Sequence, residues 1–210
     1  SNAQQTAMVK QTGQKIAAAV EKYCQEHSIQ LKDYAWEFNL VEDSAVNAWA
    51  MPGGKVVVYT GLLPVAKDDT GLAVVLGHEI AHAVAKHGSE RMSQGLLVEM
   101  GGMALSEALT KQPAATQTLF SKSYGVGTQV GVLLPFSRKH ELEADRMGLV
   151  FMAMAGYNPQ AAVEFWQRMS ADKSGAAYEI LSTHPADKTR IAEIEKYLPE
   201  AMTYYQSASK

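Results

Sequence analysis

Between Thr70 and Glu90 the chain reads TGLAVVLGHEIAHAVAKHGSE, and its centre, His78-Glu79-Ile80-Ala81-His82, carries two histidines four residues apart. A helix turns about 100° per residue, so both imidazoles sit on one face, a single turn apart, and can reach one metal ion. Asp68, Asp69 or Thr70 can cap such a helix and Gly88-Ser89 can stop it, so the pattern predicts a helix ending near His87. Zinc suits the pair. Neutral imidazole is a good ligand, a catalytic site needs only three protein ligands, and a neighbouring carboxylate such as Glu79 can take a proton from metal-activated water. The competing reading is an amphipathic helix that carries two imidazoles by chance, so a second element is needed.

Glu141-Leu142-Glu143-Ala144-Asp145 supplies it. Glu141 and Asp145 are also four apart on a predicted helix and share a face. A two-histidine, one-carboxylate zinc site requires a third ligand, the role Glu141 can fill, and carboxylates such as Asp145 commonly orient a ligating imidazole through its free N–H. Alone, this pair would suit a solvated helix face. Ala144, Gly148 and Leu149 instead point to close packing against another helix.

At 210 residues the chain suits one well-buried domain, and a net charge of -3 lacks the basic excess that nucleic-acid binding calls for. Cys24 is the sole cysteine, so no disulfide framework exists. The longest strongly apolar run, Met147 to Gly156, is half what a bilayer span needs, so no transmembrane segment is expected. The opening Ser-Asn-Ala looks like a tag remnant, which leaves residues 4–210 as a single domain whose native N-terminus has been trimmed.

Apolar spacing predicts an amphipathic helix over Gln5 to His27. From Tyr34 the period changes to alternation, and a meander of three short strands follows, with Pro52-Gly53-Gly54 as a turn before Lys55 to Thr60. Further helices are predicted over 90–109, 138–155, 159–170 and 185–197, with a loop or helix break at 110–117 and an apolar, glycine-rich stretch at 124–136 whose residues 124–131 suit a lid. The ten methionines read as core filling.

His78-Glu-Ile-Ala-His82, Glu141-Leu-Glu-Ala-Asp145, the stretch STHPADKTRI from Ser182 to Ile191 and the preceding NAWAMPGGKVVVYTGLL together resemble the gluzincin metallopeptidases that include HtpX, the CAAX prenyl endopeptidases and the mitochondrial Oma-type protease. The resemblance runs from about Val46 to Ile191 and is nearest to the soluble bacterial members. It implies one zinc ion on His78, His82 and Glu141, with Glu79 as general base. It also implies an α+β fold: a mostly helical zincin (minigluzincin) core with a small three-stranded sheet whose edge strand lines the cleft.

Lys55, Val56, Val57, Val58 and Tyr59 read as that edge strand, able to pair with an extended polypeptide, as well as a core strand. His184, before Pro185, is either a helix-entry residue or, by likeness to periplasmic relatives, a switch ligand or transition-state residue near the metal. Arg190 can stabilise an oxyanion or pair with a cleft carboxylate, the commoner use of arginine. His87 falls on the far helix face, His140 is one residue off Glu141, and His27 ends the first helix, so none of these should touch the metal. The expected function is a zinc endopeptidase of misfolded or envelope proteins, periplasmic and lipid-anchored in its native form. The rival is a zinc-bearing, chaperone-like or partner-binding module that His184 keeps proteolytically silent.

Overall fold

Asn2 opens the first helix with a reciprocal capping box to Gln5, and α1 (Ala3–Glu26) then buries Val9, Ile16, Val20 and Cys24 along one stripe. In the computed structural model, described for residues 2–90, 134–171, 179–186 and 188–208 and six scattered positions between 93 and 110, the chain forms two compact units. One comprises residues 1–85 and 141–210, the other residues 86–140. The predicted 90–109 helix and the 110–117 loop or helix break fall largely outside the described residues, and the 124–131 lid wholly so.

Within the first unit, β1 (Glu37–Val41), β2 (Ala48–Ala50) and β3 (Lys55–Tyr59) form a sheet of order β1-β3-β2. Gly53 and Gly54, at φ +95° and +93°, turn β2 back antiparallel onto β3, whereas β1 lies parallel to β3. Two expectations are thereby corrected. The strands are not a meander, and Lys55-Val56-Val57-Val58-Tyr59 is the central strand, not the edge strand. Its unbroken run of β-branched residues is what a strand paired on both sides requires: Val56 and Val58 are wholly buried, and both neighbours hydrogen-bond along its length. The edges are β1 and β2.

The chain then passes through a 3-10 turn (Thr60–Leu62) and α2 (Leu63–Ala66) into α3 (Asp69–Val84). Asp68 caps α3, its carboxylate accepting from Gly71 N–H at 2.8 Å. Apolar on all sides, α3 buries every residue from Gly71 to Ala81 and packs against α1, β2 and α5 (Ala161–Ala171). It ends at Val84, a turn short of the expected His87, where the Tyr34 hydroxyl donates to the Ala83 carbonyl at 2.9 Å and Lys86 takes φ +58°.

Helix α4 (Leu134–Met154) crosses α3 at two glycines. A Cβ on Gly77 would meet Gly148 O at 2.7 Å, and one on Gly148 would meet Gly77 C and His78 N at 2.9 Å, so backbone touches backbone here. This contact brings the motifs of the two helices together. Helices α5, α6 (Glu179–Thr183) and α7 (Lys188–Ala208) follow, with Phe165, Trp166, Ile180 and Ile194 in the core. Among the described residues, no helix is long and apolar enough to cross a membrane.

Candidate metal centre

On α3, buried His78 and half-buried His82 hold their Nε2 atoms 3.1 Å apart, and Glu141 of α4 reaches both: Oε2 is 3.2 Å from His78 Nε2, and Oε1 is 3.1 Å from His82 Nε2. His184, just beyond α6, places Nδ1 2.8 Å from Glu141 Oε1 and 3.3 Å from His78 Nε2. One ligand atom from each of the four side chains lies within 4.8 Å of all the others. A tetrahedral zinc site with bonds of about 2.0–2.1 Å has ligand–ligand edges of about 3.3 Å, and the pairs that converge here have comparable spacings. Glu141 Oε2 is buried and, although Arg190 Nη1 lies 3.1 Å away, makes no hydrogen bond. Lone pairs converging without an acceptable donor are what a cation would satisfy, so the residues fit zinc.

Asp145, one turn along α4 from Glu141, sets Oδ1 2.9 Å from His78 Nδ1, the arrangement that turns the opposite ring nitrogen toward the cluster. Arg190, almost wholly buried, donates from Nε and Nη2 to Asp145 at 2.6 and 2.8 Å, and from Nη1 to the carbonyls of His184 and Pro185 at 3.2 and 3.3 Å. That geometry favours carboxylate pairing over a free oxyanion donor, and it pins the His-Pro turn to α4. Trp166 is a member of the site that the sequence does not flag. Its ring lies 4.0 Å beneath the Arg190 guanidinium and meets the His78 ring edge-on at 5.5 Å. No local motif marks a tryptophan on a helix so far along the chain from His78, and only the fold brings it here.

Glu79 stands beside the cluster with Oε1 buried, unbonded, and 3.4 Å from His184 Nε2. Burial raises its pKa, against the lowering pull of His184 and His78. Burial and Arg190 both push the His78 pKa down, but the Asp145 and Glu141 carboxylates beside its ring nitrogens outweigh them and take it up to about 9. His82 moves the other way, to about 3, chiefly through burial. Glu141 and Asp145 are held below the ordinary carboxylate range despite burial, by His184 and Arg190 respectively.

Among the described residues, the cluster takes in no other histidine. In the second unit His87 and His140 stack at 4.3 Å, with His140 Nε2 3.1 Å from Glu90 Oε2, while exposed His27 stacks on Tyr23 at the end of α1. Central strand β3 supplies none of the clustered side chains.

Residues 6–198 match the peptidase family M48. The chain is 41% identical over 173 residues to the mitochondrial metalloendopeptidase OMA1 of Schizosaccharomyces pombe, covering 81% of this chain and 49% of that protein. With the Saccharomyces cerevisiae protein of the same name it shares 34% over 203 residues, covering 92% and 56%. With the Beta-barrel assembly-enhancing protease of Escherichia coli it shares 29% over 164 residues, covering 75% and 33%. The chain thus spans about half the length of the yeast relatives. On its sequence match, and with motif residues from three parts of the chain gathered into one cluster, this chain belongs to peptidase family M48.

Proposed function

We propose that the chain is a zinc-dependent endopeptidase in which His78, His82 and Glu141 hold one metal ion and Glu79 is the general base. The convergence of these ligand atoms on two helices locked by a backbone contact supports this reading most strongly. Zinc in such a site acidifies water and polarises a carbonyl. Glu79 would take the proton from the attacking water and return it to the leaving amine, its raised pKa suiting both transfers. Asp145, held by Arg190, would keep His78 turned toward the metal. The test is zinc content, followed by cleavage of an unfolded polypeptide with and without a chelator. A zinc-loaded protein that cleaves nothing, even with His184 removed, would point to the silent binding module.

That rival has one observation in its favour: His184 makes the ligand set four, and four protein ligands are the mark of a closed structural site. We read His184 as a switch that fills the position water needs. His184→Ala is expected to keep zinc and raise peptide turnover severalfold; unchanged or lower turnover in a zinc-loaded variant would sink the switch.

Metal and proton compete at His78. Its folded pKa of about 9 lies above the ordinary 6.5, so its contribution to metal-free stability is fully present below pH 6.5 and is lost as pH rises through about 9. Zinc must displace that proton, so zinc affinity should climb about tenfold per pH unit below about 9 and then flatten. Chelated melts and zinc titrations across this range check both slopes, and a pH-independent affinity would remove His78 from the ligand set.

Extended polypeptides are the substrates this reading requires, and misfolded or envelope proteins are the class we favour. A periplasmic, lipid-anchored setting is the one we favour; of the relatives, the Escherichia coli protease is named for β-barrel assembly and the yeast proteins are named mitochondrial.

A further inference from the structure

The unpaired side of β2 carries a short, usable row of backbone groups next to the metal centre. Tyr59 N–H donates to Asn47 O at 3.1 Å and Met51 N–H to Lys55 O at 2.8 Å, so by antiparallel alternation residues 47, 49 and 51 face β3 while 46, 48 and 50 face outward. Val46 O is already taken by Ile180 N–H at 3.1 Å, and Ala48 N–H donates to Asn47 Oδ1 at 2.9 Å. Among the described residues, nothing takes the Ala48 C=O or the Ala50 N–H and C=O, which are left for a third strand. Ile180 O in turn accepts from His184 N–H at 2.8 Å. One helical turn, a rise of about 5.4 Å, therefore links the residue bonded to this edge with the imidazole in the ligand cluster.

Beside those groups stands Trp49, 36% exposed on the outer face of the sheet, in register with Val57 and Asn39. Its companions on β2, Ala48 and Ala50, turn to the inner face. Side chains on one face of paired strands meet directly, and they come closest at positions that do not share hydrogen bonds, as Trp49 would not with an added strand. Resting on the endopeptidase reading, we infer that Trp49 is a specificity-determining residue: substrate added to β2 through Ala48 and Ala50 is selected for a large apolar or aromatic side chain where it packs on the indole.

Peptide binding to zinc-loaded Glu79→Gln protein tests this without turnover. The probes are unstructured ten-residue peptides bearing Phe, Leu, Ser or Asp at one scanned position, and the same set is offered to the wild-type protein for cleavage. At one position, Phe and Leu peptides are expected to bind roughly fivefold tighter than Asp peptides. Adding Trp49→Ala should bring that ratio below about twofold with zinc content unchanged, whereas Trp49→Phe should keep most of it; in cleavage, KM should change more than kcat. A ratio that survives Trp49→Ala, or no discriminating position, overturns the inference. Discrimination through Trp49 with no cleavage by the wild type leaves the inference standing and removes the endopeptidase reading; cleavage without Trp49-dependent selection does the reverse.

Discussion

Glu79→Gln protein should bind zinc as the wild type does and cleave peptides about 10²–10⁴ times more slowly, the usual scale for removing a general acid–base group. Gln keeps the size of Glu but has no carboxylate to accept a proton. The site makes the substitution clean. Glu79 is not among the four clustered ligand residues, and its Oε1 makes no hydrogen bond whose loss would loosen the fold. The neighbour of that oxygen, His184 Nε2 at 3.4 Å, would face a neutral amide of the same size. Because burial raises the Glu79 pKa, the acid limb of the wild-type pH profile should lie above the ordinary carboxylate value of 4.5 and should vanish in the variant's residual activity. Retained turnover would refute the base. Lost zinc would instead make Glu79 part of the metal's support. Zinc content and initial rates on one peptide, measured on the same preparation, separate these outcomes.

The helices are legible in the sequence because their chemistry is periodic. His78 with His82, and Glu141 with Asp145, repeat at one helical turn, so each pair shares a face before any tertiary contact is known. Capping residues tell where α3 begins, but not that it ends at Val84, where the hydroxyl of Tyr34, distant in sequence, donates to the Ala83 carbonyl. The sheet is harder. Alternation shows which side chains turn inward, but it does not say which strand lies between two others, and the parallel pairing of β1 with β3 depends on contacts that leap over β2. The clue is the run Val56-Val57-Val58, whose lack of polar interruption suits a strand with no free edge, while the strand before the turn, Ala48-Trp49-Ala50, is legible as a strand but not as an edge. Arg190 shows the same limit. Its residue type already favours pairing with a carboxylate, and only the fold names that carboxylate as Asp145, 2.6 Å away.

Gly148→Val should cost the protein its metal site as well as much of its stability. The β-carbon would sit 2.9 Å from the Gly77 carbonyl carbon and the His78 nitrogen, and 3.1 Å from the His78 Cα, and these are backbone atoms of a buried helix that cannot swing aside. Relief requires α3 and α4 to part. Overpacking a core typically costs about 1–3 kcal/mol, and a backbone clash belongs at or above the upper end of that range. The parting also acts on the chemistry, because His78 follows Gly77 on α3 while Glu141 and Asp145 ride on the same α4 as Gly148. Bonds of about 2.0–2.1 Å tolerate little displacement, so even partly folded Gly148→Ala is expected to bind zinc about 10–100-fold more weakly, the scale seen when a ligand's supporting contacts are removed. Gly156→Ala is the control for inserting a methyl in place of a glycine hydrogen. A Cβ at Gly156 would meet nothing within 4 Å, but the residue holds φ +87°, so the substitution should lower stability through strain and leave zinc affinity untouched. Thermal melts and zinc titrations of the three variants would distinguish lost packing from lost ligand geometry. Wild-type zinc affinity in folded Gly148→Ala would mean that the helix contact does not set the distance between His78 and Glu141.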